Sequence, residues 1–246
     1  MSFNSEALYQ ALDALSQDAQ SPRRYVVAFS GGLDSTVLLH ALQAGSAQHN
    51  VPILAVHIDH GMQAGSERWT EHCSEQAAKL DVEFLGQRVA VDTESGKGRE
   101  AAAREARYAS LASLVSEGDW LLSAHHQEDQ AETLLLNLMR GSGPAGLAGI
   151  ASIRAFASGW LVRPLLSFSQ KALRDYASQH ELNWIDDPSN LDRTLDRNFL
   201  RHDVLPTIES RWPGAARRLH RSSRIAADAA AMLDDLAAAD LATLGG

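Results

Sequence analysis

Six consecutive residues, Ser30-Gly31-Gly32-Leu33-Asp34-Ser35, carry the most specific chemistry in this chain. Two adjacent glycines let the backbone curl close to a ligand. The N–H groups of the turn and of a helix opening behind it favour an anion such as phosphate. Ser30 and Ser35 add hydroxyl donors. No lysine follows as it does in a Walker A loop, so the phosphate charge has to be met by Mg²⁺ and by distant bases. Asp34, a carboxylate inside a phosphate cradle, makes sense as a Mg²⁺ ligand or as the partner of a cationic substrate.

Other groups could serve such a site. Glu128, Asp129 and Glu132 open a helical segment, with Glu128 and Glu132 four residues apart on one face. They read either as partners of the helix dipole or, as a group beside His125 and His126, as a cation site. Arg104 and Arg107 follow Glu100 on another helix. An arginine aimed at an α-phosphate would stabilise charge developing there, whereas a surface Glu100–Arg104 pair is the plainer alternative. His57, Asp59, His60, His125 and His126 lack zinc spacing, and adjacent strand histidines point to opposite faces, so contact with a nucleotide or substrate is expected instead, with ordinary packing or solvation of some of them as the alternative. Arg193, Arg197 and Arg201 recur every four residues, and Arg217, Arg221 and Arg224 form a second stripe. Each reads as a solvated face or as contacts to nucleic-acid phosphates. Gly141-Ser142-Gly143-Pro144-Ala145-Gly146 matches G-x-G-x-x-G in letters, but it follows a helix and contains proline, so no dinucleotide site is expected. Trp184 and Trp212 are expected as core or loop anchors.

The elements that position these groups alternate. Strands are expected at 24–29, 53–58, 82–91 and 120–124, and helices at 5–16, 35–43, 66–80, 99–116 and 127–139. That order predicts a Rossmann-like, doubly wound α/β fold with a parallel sheet covered on both faces. Ligands would lie beyond the C-terminal strand ends, at Ser30, His57 to His60, Val91, and His125 with His126. Residues 141–150 read as a loop, 160–165 as a last strand and 170–180 as a helix. Short helices follow residue 188, and a long Ala-rich helix starts near Pro213. The expected division is a catalytic domain over 1–212 and a helical C-terminal segment over 213–246, the start of a region that the chain does not continue.

At 246 residues, with 45% hydrophobic and 22% charged residues, the composition is that of a folded globular protein. A lone cysteine, Cys73, excludes an internal disulfide, a C-x-x-C pair and a cysteine-built metal cluster. With no apolar run of membrane length and no Lys, Arg or apolar stretch in the first 22 residues, a cytoplasmic protein without membrane association is expected. A net charge of −9 argues against non-specific coating of nucleic acid, yet residues 193–224 hold eight arginines against three acids.

Several segments together carry a resemblance. Ser30 to Ser35 resembles the PP-loop of N-type ATP pyrophosphatases. His57-Ile58-Asp59-His60-Gly61, residues 98–108, residues 124–133, Arg140-Gly141-Ser142-Gly143, Arg163-Pro164-Leu165, Asp187-Pro188-Ser189-Asn190 and Arg197-Asn198-Phe199-Leu200-Arg201 narrow it. Over about residues 20–215 the chain is similar to the bacterial tRNA(Ile)-lysidine synthetase family. The resemblance implies a PP-loop fold of the adenine nucleotide α-hydrolase type. It also implies a ligase using ATP and Mg²⁺ to join free L-lysine to the wobble cytidine of tRNA(Ile) with a CAU anticodon, through an adenylated cytidine. Under it, Ser30, Gly31, Gly32, Leu33, Asp34, Ser35, His57 and His125 would bind ATP, and Asp34, with Mg²⁺, would act in catalysis beside Arg104 and Arg107. Glu128, Asp129 and Glu132 would bind lysine, and Arg193, Arg197, Arg201, Arg217, Arg221 and Arg224 would bind tRNA. Homodimer formation stays open, as do two alternatives: a PP-loop tRNA thiolase and a non-catalytic nucleotide-binding domain.

Overall fold

A computed structural model describes residues 2–17, 19–61, 66–91 and 98–244. The chain divides into two compact units, one formed by Met1–His125 with Ser152–Asp187 and one by His126–Ala151 with Pro188–Gly246. The units interleave along the sequence, so this partition does not follow a single cut after residue 212.

The first unit contains α1 (Ser5–Leu15), β1 (Arg24–Ala28), α2 (Leu33–His49), β2 (Ile53–Asp59), α3 (Ser66–Lys79), β3 (Glu83–Arg88), α4 (Arg99–Leu114) and β4 (Asp119–Leu122). The second unit takes up the chain with α5 (Gln127–Met139) and α6 (Pro144–Leu147) before β5 (Ile153–Phe156), β6 (Gly159–Val162) and α7 (Gln170–Gln179) return to the first. The six strands form one sheet in the order β3-β2-β1-β4-β6-β5. All pairings are parallel except that of β5 with β6. The parallel α/β expectation holds.

Strand β1 is apolar on both sides because both faces are covered. Tyr25, Val27, Leu122 and Val162 pack under α1, α2, α3 and α7, while Val26, Leu54, Val56, Leu121 and Leu161 pack under α4. Strand order reverses at β1, whose neighbours β2 and β4 are reached by connections running in opposite directions. A crevice at the strand ends is therefore expected beside β1.

Helix α2 runs to His49, six residues beyond the expected end, and passes through Gly45. The reason is tertiary. A Cβ on Gly45 would stand 2.4 Å from the Tyr9 ring, because α1 packs this closely, with Tyr9 donating to Leu42 O at 2.9 Å. The sequence reading also missed β5. Its short hairpin to β6 turns through Ala157 at φ +49°, a residue carrying no turn signal.

The second unit is helical. After α5 and α6 it comprises a 3-10 turn at Pro188–Leu191, α8 (Asp196–Phe199), a π-helical turn at Leu200–Val204, α9 (Leu205–Arg211) and α10 (Ala215–Leu244). Ala131, Leu205 and Ala216 form its small apolar centre, with Leu135 and Leu219 against them. Residues 141–150, expected as a loop, contain the single turn α6. Gln130 holds the segment by hydrogen bonds with Ala148 O, Ile150 O and Ile150 N, and Asn137 by one to Gly146 O. Among the described residues, no helix is long and apolar enough to cross a membrane.

Candidate functional site

The loop after β1 is built around a backbone conformation and a close contact. Phe29 N still donates to Val56 O at 2.8 Å, so the chain leaves the sheet immediately before Ser30. Gly31 adopts φ +78°, and a Cβ there would stand 2.8 Å from Cys73 Sγ. Side chains are thus excluded twice, by backbone strain and by packing. Ile185 N donates to Gly31 O at 2.9 Å and fixes the loop from behind. Ser30 Oγ and Ser35 Oγ lie 3.0 Å apart, and Ser35 Oγ donates to Gly32 O at 3.1 Å.

Gly32 is the N-cap of α2 and provides no side chain to cap the helix. The amides opening a 17-residue helix therefore meet the crevice beside β1 without a competing side-chain oxygen from the cap position. This arrangement attracts an anion. The glycine cradle, which a Cβ would fill, fits the close approach of a phosphate chain.

Asp34 stands in the first turn of α2, with one carboxylate oxygen enclosed by protein. No group of three His, Cys, Asp or Glu side chains is placed to hold a metal among the described residues. A single carboxylate fits Mg²⁺ in its common mode, where nucleotide phosphates and waters supply the other ligands.

His57 is buried on β2, and its Nδ1 donates to Phe29 O at 2.9 Å, with Cys73 Sγ 3.4 Å away. Burial lowers its pKa, outweighing the Phe29 hydrogen bond and the pull of Asp59, so the ring is held neutral. In this structure Nδ1 of His57 thus supports the strand that delivers the loop. His125 lies against Ser123, with Nδ1 2.6 Å from its Oγ. Asp59 accepts from Gly61 N at 2.8 Å. Burial would raise its pKa, but the hydrogen bonds from Gly61 and Ser66, together with Arg88 and His57, hold it below the usual carboxylate range.

Arg104 and Arg107 come together on α4, both over the ring of Tyr108, at 5.0 and 5.6 Å from its centroid. Tyr108 meets Phe156 of β5 edge-on at 5.9 Å. Arg154 lies 5.8 Å over Phe156, and buried Arg163 donates to the Tyr108 side chain. Arg154 and Phe156 were not singled out in the sequence, and Tyr108 and Arg163 entered only as parts of motifs. The signal for Arg154 and Phe156 was weak because it required β5, which local pattern does not reveal. The Glu100 side chain lies outside the described residues.

In the second unit, His126 N donates to Asp129 Oδ2 at 2.9 Å at the start of α5, and His126 Nδ1 lies 3.1 Å from Glu128 Oε2. Asp129 and fully buried Glu132 face two guanidinium groups. Arg197 Nε donates to Glu132 at 2.7 Å and Arg197 Nη2 to Asp129 at 3.1 Å. Arg201 Nε donates to Glu132 at 2.7 Å and Arg201 Nη2 to Asp129 at 3.0 Å. The i, i+3 spacing of the acids on α5 meets the four-residue spacing of the arginines across α8 and the π-helical turn. Two sets read separately in the sequence, one for a cation and one for RNA, thus meet each other here.

Arg193 pairs with Asp203 at 2.9 Å. Arg217, Arg221 and Arg224 are exposed along α10. Trp184 packs on the core of the first unit and donates to Asp186 at 3.1 Å, in line with an anchoring role. Trp212 is instead 57% exposed, with Arg211 over its ring.

Comparison with known proteins agrees with this geometry. Residues 4–208 match the PP-loop domain family. The chain is 53% identical over 218 residues to a tRNA(Ile)-lysidine synthase of Alkalilimnicola ehrlichii, covering 89% of this chain and 49% of that protein. A tRNA(Ile)-lysidine synthase of Pseudomonas putida is 45% identical over 222 residues, covering 90% of this chain and 52% of that one. The chain thus spans about half the length of the curated relatives it matches. Among solved structures, the U34-tRNA thiolase of Methanococcus maripaludis with its [4Fe-4S] cluster superimposes with a TM-score of 0.72 at 18% identity, over 90% of this chain and 78% of that one. That likeness is one of fold.

Proposed function

Because the chain belongs to the PP-loop domain family, we propose that it is the ATP-using catalytic part of a tRNA(Ile)-lysidine synthase, joining free lysine to the wobble cytidine of tRNA(Ile) with a CAU anticodon. The observation that carries this reading is the Gly31-Gly32 cradle, left-handed and closely packed at Gly31, that opens α2 beside the strand-order reversal. Its support on the side of substrate is the identity of 45–53% to lysidine synthases.

The chemistry divides into two displacements. The cytosine 2-carbonyl oxygen attacks the α-phosphorus of ATP, an O–P bond forms, and the bond to pyrophosphate breaks. The lysine ε-amine, after losing a proton, then attacks C2, and AMP departs with the oxygen. Activation is needed because a carbonyl oxygen does not leave unaided. Mg²⁺ at Asp34 would offset phosphate charge. The loop amides, Ser30, Ser35 and Leu33 would hold the triphosphate, with His57 and His125 at neighbouring strand ends. Arg104 or Arg107 would stabilise charge building on the α-phosphate.

Glu128, Asp129 and Glu132 are assigned to the lysine ammonium, which would take over positions that Arg197 and Arg201 hold at Asp129 and Glu132 in this structure. Arg193, Arg197, Arg201, Arg217, Arg221 and Arg224 are assigned to tRNA phosphates, with Arg217, Arg221 and Arg224 exposed for that purpose. A thiolase that needs a cysteine pair or an iron–sulfur cluster is disfavoured by the lone Cys73.

The test is incubation with labelled ATP, Mg²⁺, lysine and unmodified tRNA(Ile). The reading expects AMP and pyrophosphate formation that depends on lysine and tRNA and is lost in Asp34→Ala. Product formed with a sulfur donor in place of lysine would indicate a thiolase. ATP binding without turnover would indicate a nucleotide-binding domain.

A further inference from the structure

Four arginines in the first unit gather around two aromatic rings, a different arrangement from the Arg–carboxylate network of the second unit. Arg104 and Arg107 lie over Tyr108, Arg154 lies over Phe156, and the two rings meet edge to face. Buried Arg163 completes the group through the Tyr108 side chain. A guanidinium stacked on a ring keeps its donor edge available for an anion, and the ring does not cancel its charge. Among the described residues, no ion pair to a carboxylate is made by Arg104, Arg107 or Arg154. The cluster is electrostatically unfavourable by itself. Burial pulls Arg107 and Arg163 below the usual guanidinium range, with Arg104 adding to the effect on both and Arg154 to that on Arg163, against the opposing pull of Tyr108.

The position of the cluster indicates which anion it fits. Arg163 directly follows β6, and Arg154 is opposite Leu161, one residue from the end of that strand, so both stand at the sheet edge where ligands bind. The edge strand β5 is three strands from β1, the strand that delivers the phosphate loop. At about 4.8 Å per strand the separation is about 14 Å. Arg154 is thus displaced sideways from an anion seated on the loop and suits a second, separate phosphate.

We infer that Arg154 and Arg163, with Phe156, extend the Arg104–Arg107 pair into a subsite for the phosphodiester backbone of the RNA strand whose base is modified. Arg154 is the outer contact and Arg163 the buried support. The inference rests on the proposed function, which supplies the RNA substrate, and adds residues outside the two arginine stripes expected to bind it.

Arg154 is exposed, so its replacement should leave the fold intact, which circular dichroism of each variant checks. The test compares the unaltered chain, Arg154→Glu, Arg154→Ala and Arg154→Lys for binding a fluorescent anticodon stem-loop with a CAU anticodon across a salt series, and for binding ATP. Arg154→Glu is expected to weaken hairpin binding about tenfold or more, and Arg154→Ala about three- to tenfold, with the slope of log affinity against log salt falling by about 1. Arg154→Lys should keep most of the slope, and ATP affinity should stay constant in all three. Unchanged hairpin binding in Arg154→Glu, a fall in ATP affinity instead, or no hairpin binding by the unaltered chain overturns the inference. The ligase reading fails separately: if the hairpin binds through Arg154 but no lysine is incorporated, the subsite stands and the ligase does not.

Discussion

Replacing Gly31 by alanine separates the two constraints that shape the phosphate loop. An L-residue at φ +78° costs about 1–2 kcal/mol. The new Cβ would also lie 2.8 Å from Cys73 Sγ, which is completely buried, and such overpacking adds about 1–3 kcal/mol. The predicted loss is therefore about 2–5 kcal/mol, or roughly 5–15 °C in Tm for a unit of this size. Cys73→Ala alone should cost about 1 kcal/mol, as a small buried deletion. In the double variant the clash is gone and the backbone term remains, so it should be more stable than the sum of the single changes by about 1–3 kcal/mol. Calorimetry on the four proteins measures this coupling, and ATP titration follows the cradle. Additivity within about 0.5 kcal/mol would refute the claim that Cys73 sets the space available to the loop.

Further expectations follow from the same structure. Arg201→Ala should destabilise the second unit by about 3–5 kcal/mol in urea unfolding, because Glu132 is completely buried and loses a partner. Arg201→Met combined with Glu132→Gln should cost less, and equal losses would contradict the network. Burial lowers the pKa of His40, His57 and His72 from 6.5, so the unfolded chain takes up more protons below that value and stability should fall as pH drops through 6.5 toward 5. Burial pushes Cys73 up from 9.0 to about 12, and Tyr9 and Tyr176 up from 10.0 to about 12. The folded chain therefore retains protons that the unfolded chain loses, and stability should fall as pH rises above about 9. Chemical unfolding across pH 5–11 checks both limbs, and a flat profile would contradict them. The same burial predicts that iodoacetamide at pH 8 labels Cys73 slowly in the native protein and rapidly in urea.

Local pattern carried much of the fold. Alternating apolar runs and helical periods located β1, β2 and β4 and helices α1, α3, α4, α5 and α7, and the Gly31-Gly32 pair after a strand marked the loop. Features set by distant partners were less visible. The Tyr9 contact explains why α2 continues through Gly45, and no residue within the helix announces it. Strand β5 is short and sits at an edge, and the left-handed residue of its turn is Ala157 rather than a glycine or asparagine, so the Ser158-Gly159 pair was its only local mark. The pairing of Asp129 and Glu132 with Arg197 and Arg201 joins residues more than sixty positions apart. Spacing showed that each set formed a stripe, but not that the stripes face each other.

Lysine transfer is tested most directly on the nucleic-acid product itself. Unmodified tRNA(Ile) with a CAU anticodon is incubated with the chain, ATP, Mg²⁺ and isotopically labelled lysine, then digested and read by mass spectrometry. Lysine should be found covalently attached at the wobble cytidine, dependent on ATP and absent with Asp34→Ala. Consumption of ATP with an unmodified cytidine, or label at any other nucleotide, would contradict lysine transfer to that base.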